Sequence, residues 1–130
     1  MKKITLILCL FLYNVLYSFE SNIAQISSPD ASLVLKLNSL DGSIYYSLNK
    51  NKNIIIENSR LGIIADQFNF SDNLYIVDIN NNTINETWTQ VWGEQKDIID
   101  NYNELSVSFL SEKDKYKMVI RFRVFNDGLG

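Results

Sequence analysis

The chain has 130 residues, a length that accommodates one domain, with no histidine, a single cysteine (Cys9) and a formal net charge of −3. The absence of histidine excludes Ser-His-Asp and Cys-His catalysis, histidine general acids and histidine-bearing zinc sites within this chain. Carboxylates, lysines, tyrosines and oxygen ligands of the calcium type remain, and without a basic stripe no nucleic-acid partner is expected.

Met1-Lys2-Lys3 is a short positive segment, and Ile4 to Leu16 is an apolar run interrupted by Thr5 and Asn14. This is the pattern of a secretory signal peptide over residues 1–18, cleaved near Tyr17-Ser18, with Ala24 as a later option. The run is short for a membrane span; an N-terminal anchor is the alternative. Cys9 lies inside the run rather than after it, so no lipid attachment is expected. Cleavage removes the only cysteine, leaving no disulfide, thiolate nucleophile or sulfur ligand, and loss of Lys2 and Lys3 takes the charge from −3 to −5. The expected mature domain, 19–130, is exported, periplasmic or extracellular, and keeps no membrane partner after cleavage.

Ser27-Ser28-Pro29-Asp30 is a turn-rich entry. Leu33, Leu35 and Leu37 then alternate with polar and β-branched neighbours, the period of a strand, and Asp41-Gly42 signals a hairpin to a second strand over Ile44 to Leu48. Asn49 to Asn53 reads as a turn, Ile54-Ile55-Ile56 as a short strand, and Glu57 to Arg60 as another turn before extended Leu61 to Ile64. Asp66 to Asn73 is a polar loop carrying Phe68 and Phe70. Leu74 to Ile79 is a strand closed by the asparagine run Asn80 to Asn82. Leu105, Val107 and Phe109 share one strand face. After a charged turn over Glu112 to Lys115, Tyr116 to Phe125 is amphipathic, apolar on one side and mostly basic on the other. Turn signals recur at roughly the spacing of a sandwich or barrel, so the fold expected is all-β and antiparallel. Asn126-Asp127-Gly128 is a turn that launches a partner strand of which only Leu129 and Gly130 follow. The expectation is the front part of a longer protein; a frayed tail is the alternative.

The segment Glu86 to Leu105 holds both tryptophans, Trp88 and Trp92, and five carboxylates: Glu86, Glu94, Asp97, Asp100 and Glu104. Its pattern Glu86-Thr-Trp-x-x-x-Trp-Gly-Glu94, followed by Asn101-Tyr102-Asn103-Glu104-Leu105, resembles the N-terminal domain of glycoside hydrolase family 97, which contains exported bacterial α-glucosidases and α-galactosidases. Ser28-Pro29-Asp30, Asp41-Gly42 with Tyr45-Tyr46, Ser59-Arg60-Leu61-Gly62 and Arg121 to Gly128 are similar to further blocks of that domain, in the same order, over about residues 27–130. The resemblance implies an antiparallel β-supersandwich of the galactose-mutarotase-like type, incomplete at its C-terminus. It also implies a (β/α)₈ barrel outside these 130 residues that carries the catalytic carboxylates and a calcium ion, so no cofactor is expected here and calcium belongs to the full-length family. The function implied is a non-catalytic accessory domain of an exported α-glycosidase that binds an α-glucoside or α-galactoside and docks on the barrel. The alternative is a stand-alone secreted carbohydrate-binding module. A mutarotase-type epimerase is disfavoured because its histidine acid is lacking.

Sugars stack their C–H faces on aromatic rings while carboxylates and amides bond the hydroxyls, which makes Trp88, Trp92 and Glu94, with Gln90 and Asn103, the candidate substrate-binding set. The competing expectation places one tryptophan in the core and the other against the barrel, tryptophan being usually buried. Glu86 and Glu94 as a catalytic pair, and Asp97 and Asp100 with Asn101 or Asn103 as calcium ligands, are weaker readings; the second matches no EF-hand spacing. A helix over Gly93 to Leu105 is disfavoured by the run Asp100 to Asn103. Gly93 is expected to permit a tight turn. Arg60 is expected to pair with an acid and tie the sheets, and the Asn-x-Thr sequons at Asn81 and Asn85 receive no role.

Overall fold

The computed structural model describes residues 21–94, 96–111 and 115–130. The expected signal peptide, residues 1–18, and positions Glu112 to Asp114 of the charged turn lie outside the described residues. Among the described residues nine strands follow one another: β1 (Ser21–Ser27), β2 (Leu33–Leu40), β3 (Ser43–Lys50), β4 (Asn53–Leu61), β5 (Ile64–Ala65), β6 (Phe68–Asn69), β7 (Leu74–Thr89), β8 (Asp97–Ser111) and β9 (Lys117–Val124). They form an antiparallel four-stranded sheet β1-β2-β3-β4, a small β5-β6 hairpin and an antiparallel three-stranded sheet β7-β8-β9. The fold is an all-β sandwich.

Alternation dictates how the sheets meet. Successive side chains of a strand point to opposite faces, so Leu33, Leu35 and Leu37 of β2 share one face, and Leu105, Val107 and Phe109 of β8 share another. Both rows are almost fully buried, and with Ile26, Ile44, Leu48, Phe70, Leu74, Phe122 and Val124 they make one core cluster. The registers Leu105↔Phe122 and Val107↔Ile120 bring the apolar face of β9 to the same side.

The turn chemistry follows the same economy. Leu40 pairs with Ser43 and Lys50 with Asn53, so Asp41-Gly42 and Asn51-Lys52 are two-residue hairpin loops. All four central residues have positive φ: 50° and 74° for Asp41 and Gly42, 49° and 70° for Asn51 and Lys52. That is the primed turn whose twist matches the flanking strands. Gly42 is also crowded, since a Cβ there would lie 3.2 Å from the backbone of Asn73, whose neighbour Leu74 donates its N–H to the Gly42 carbonyl at 3.0 Å.

Two polar nodes tie the ends of the sandwich. At one, Asp72 accepts from Arg60, from Ser71 Oγ at 2.9 Å and from Ser43 Oγ at 3.2 Å, while Arg60 also donates to the Ser71 carbonyl at 3.0 Å. Arg60 thus pairs with an acid as expected. At the other, Ser28 Oγ donates to Asp30 Oδ1 at 2.6 Å and accepts from the Leu33 N–H at 3.0 Å; the Asp30 N–H then donates to Asn126 Oδ1 at 3.0 Å. The opening turn is therefore clasped to the turn that follows β9. That turn returns the chain as expected, with Arg123 and Gly130 exchanging N–H···O bonds of 2.7 and 2.8 Å and Val124 bridging Leu129.

Three expectations are corrected. Glu57 to Arg60 is not a turn, because β4 continues through it: Ser59, Arg60 and Leu61 pair with Tyr46, Tyr45 and Ile44, and a bulge near Leu48 absorbs the break in alternation. The asparagine run does not close a strand either. β7 carries on to Thr89, with Asn80, Asn81 and Asn82 laddered against Ser106, Leu105 and Glu104. Polar residues are tolerated there because β7 is an edge strand, exposed along nearly all its length. The Asp66 to Asn73 loop contains β6. In addition β1, which no periodicity announces, pairs along β2 with a register shift between Asn22 and Ala24.

Replacing Gly42 by alanine is expected to cost about 1–2 kcal/mol in urea unfolding, from its positive φ and close approach; Lys52→Gly is expected to add about 0.5–1 kcal/mol by relieving the second turn. Truncating the fully buried Phe109 to alanine is expected to cost about 3–5 kcal/mol. Asp30 and Asp72 are held below the ordinary aspartate value, chiefly by the Ser28 hydroxyl for the first, and by the Ser71 hydroxyl and then Arg60 for the second. A lowered carboxyl stabilises the fold above its unfolded value, and that stabilisation is lost as pH falls through the lowered folded value. The melting temperature is expected to drop below about pH 4, and Asp30→Asn with Asp72→Asn is expected to flatten this acid limb.

Candidate functional site

β9 pairs with β8 only as far as Asn103↔Val124. From Tyr102 back to Asp97, β8 has one partner, the Ile84 to Thr89 end of β7, so the two continue as a two-stranded ribbon of about 17 Å at ~3.4 Å per residue. β-branched residues on both arms, Ile84, Thr87 and Thr89 on β7 and Ile98 and Ile99 on β8, favour this extended pairing: Thr87↔Ile99 and Thr89↔Asp97 lie on one face, Trp88↔Ile98, Glu86↔Asp100 and Ile84↔Tyr102 on the other. Two side-chain bonds cross the ribbon. Trp88 Nε1–H donates to Asp100 Oδ2 at 2.9 Å, and Thr89 Oγ1 donates to Asp97 Oδ1 at 2.8 Å.

The tip, Gln90 to Lys96, is closed by the Gln90 N–H donating to the Lys96 carbonyl at 3.0 Å. Gly93 turns the chain with φ of 143°, a region open chiefly to glycine; a Cβ there would also lie 2.5 Å from the Gln90 amide nitrogen. Trp92 is 89% exposed and its neighbour Val91 87%, with Glu94 also exposed. Trp88, 46% exposed, lies along the ribbon behind them, its ring nitrogen committed to Asp100.

The expectation that one tryptophan fills the core is therefore corrected. The core rings are Phe70, Phe109 and Phe122, and both tryptophans stand outside it. Trp88, Trp92, Glu94 and Gln90 all belong to the ribbon end and tip. Asn103 does not belong with them: its amide donates to the Ser27 carbonyl at 2.8 Å and its oxygen accepts from Thr83 at 2.8 Å, so it ties β8 to β1. The calcium grouping is also undone. Asp97 and Asp100 are three residues apart in one strand and so face opposite ways, each bonded to a residue of β7. Among the described residues no group of three or more carboxylates is placed to hold a metal ion. Glu86 sits within β7 opposite Asp100, whereas Glu94 is in the tip. The disfavoured helix over Gly93 to Leu105 is absent from the described part of that span, which is extended from Asp97.

Sequence reasoning missed what stands at the root of the ribbon, on the Trp88 face. Tyr102 packs on Phe125 with ring centroids 4.8 Å apart, and the Arg123 guanidinium lies 5.2 Å over the Tyr102 ring while its Nε donates to Glu104 Oε2 at 2.9 Å. Glu104, and then Tyr102, hold the Arg123 proton more firmly than usual. Alternation in β9 put Arg123 on the outward face; only the register Glu104↔Arg123 shows what it meets. A second feature lies at the other end of the sandwich, a groove of about 480 Å³ lined by Phe68, Phe70, Tyr116 and Met118.

Chemically the ribbon end offers a stacking ring, an apolar rim and carboxylate acceptors, which is binding chemistry. Known structures place it in context. An enzyme of glycoside hydrolase family 97 from Pseudoalteromonas sp. strain K8, solved in complex with panose and with acarbose, is similar to this chain with a TM-score of 0.73 and 27% identity over 82% of this chain and 16% of the enzyme. A β-arabinopyranosidase shares the fold, at 22% identity and a TM-score of 0.73, over 82% of this chain and 17% of that enzyme. The chain thus spans about one sixth of the length of these relatives. Residues 26–130 match the family model described as glycosyl-hydrolase 97 N-terminal, and the chain belongs to that family.

Proposed function

We propose that the chain is the N-terminal accessory domain of a larger exported glycosidase, in which the ribbon tip presents Trp92, Trp88 and Glu94 to an α-glucoside or α-galactoside. The observation that carries this is the near-complete exposure of Trp92 beside Val91. Leaving an indole in water forgoes the stabilisation that burial gives, and an exposed tryptophan on a two-stranded support is suited to stacking on a sugar or on a neighbouring domain. The relatives solved with panose and acarbose support an α-glucoside as the first ligand to try. Docking on a catalytic barrel is expected along the β7 edge, where the apolar side chains of Tyr75, Ile76, Val77 and Ile79 are exposed. Calcium, in this reading, is held by that barrel.

Trp92→Ala is expected to leave the melting temperature nearly unchanged, as for an exposed site. In the longer enzyme it is expected to lower kcat/KM for panose about tenfold, or ~1.4 kcal/mol. An unchanged kcat/KM removes the sugar-facing role. Titration of the isolated chain with panose separates the alternatives: binding of comparable strength without a barrel favours the stand-alone module, and loss of binding favours the accessory domain.

A further inference from the structure

A groove lies on the outer face of the β1-β2-β3-β4 sheet. The registers Gln25↔Lys36 and Lys36↔Ser47 place those three side chains in one row across three strands, and Val34↔Asn49 forms the next row. Over Gln25, Lys36, Val34 and Asn49 runs a groove of about 510 Å³ that ends at the Asn51-Lys52 hairpin loop, and Ser47 lies in its neighbour. A second groove of about 390 Å³ adjoins it, sharing Lys36 and Asn49 and reaching Glu57.

The first groove is unusual in sign. The chain carries a net charge of −3, yet this groove is lined by two ammonium groups, Lys36 and Lys52, and by no carboxylate. Among the described residues neither lysine is in an ion pair; the two pairs present are Arg60–Asp72 and Arg123–Glu104. Asp30, next in sequence to that lining, accepts from the Ser28 hydroxyl and from the N–H of Ser32, itself a lining residue, and Glu57 lies in the adjoining groove. The other lining groups include Gln25 and Asn49, whose amides each offer donors and an acceptor. That combination fits vicinal hydroxyls flanking one anionic substituent, because amides pair with hydroxyls in both directions while ammonium groups fix the charge.

We infer that this face binds an acidic oligosaccharide, with a uronate carboxylate seated between Lys36 and Lys52 and the ring hydroxyls on Gln25 and Asn49. The site is separate from the ribbon tip and stands whether or not the tip contacts sugar. Strands are spaced by about 4.8 Å, close to the length of one sugar unit, so a short chain lying across β1, β2 and β3 meets one side chain per strand.

The test is an amide chemical-shift titration of the chain with tetragalacturonate, with maltotetraose and inorganic phosphate as comparisons. Shifts are expected at Gln25, Lys36, Asn49 and Lys52 with tetragalacturonate, and the binding is expected to weaken with added salt. Lys36→Gln is expected to lower affinity about tenfold, and Trp92→Ala to leave it unchanged. Absence of these shifts, shifts indifferent to Lys36→Gln, equal binding of maltotetraose, or equal binding of phosphate alone would each overturn the inference. Lys52→Gln, at the other cation of the same groove, serves as the second variant if Lys36→Gln alters the fold.

Discussion

The structure depends on one constraint: two three-residue rows, Leu33-Leu35-Leu37 and Leu105-Val107-Phe109, must be buried by opposing sheets. Each large side chain taken from water contributes about 1.5–3 kcal/mol, and the period of two ties all three in a row to the same face. A slip of one residue in either strand turns its whole row to solvent. The register of β1, β3, β7 and β9 is inherited from these two central strands. The hairpin loops at Asp41-Gly42 and Asn51-Lys52 and the nodes at Asp30 and Asp72 hold that register at the ends rather than creating it.

Where the constraint ends, the chain changes character. β8 loses β9 beyond Asn103 and retains only β7. No apolar row lies under that ribbon, and most of its side chains face solvent. The part of β8 that covers the core and the part that forms the ribbon are thus two lengths of the same strand. Asn103, bonded to the Ser27 carbonyl and to Thr83, stands near the boundary, and the Tyr102–Phe125 and Arg123–Glu104 contacts brace the ribbon where it leaves the sandwich. The resemblance blocks of the sequence fall at such joints. Ser28-Pro29-Asp30 meets Asn126, and Asp41-Gly42 and Arg60 both reach the Asp72–Leu74 corner. Those motifs record how the sandwich is closed.

Strands whose two faces differ were legible in the sequence. β2, β3, the core of β8 and β9 alternate strongly because one side is buried and the other wet. The family was legible too, since ordered turn blocks survive where isolated strands do not. Edge strands were not legible: the polar middle of β7 and the Glu57 to Arg60 part of β4 read as turns because an edge strand needs no apolar face to stay paired. The exposure of the tryptophans also escaped composition. Their usual burial argues for the core, and only the register Trp88↔Ile98 shows them beyond the last residue that β9 covers. The outer-face row of Gln25, Lys36 and Ser47 likewise exists only once three strands are aligned.

We propose that the ribbon and its tip are the working surface of this domain. Hydrogen exchange of the longer enzyme, with and without panose, tests it most directly. Slowed exchange over residues 84–102 is expected on adding panose, with the Leu33 to Leu40 strand unchanged. Exchange over 84–102 that is the same with and without panose, while other parts of the enzyme are protected, would contradict it.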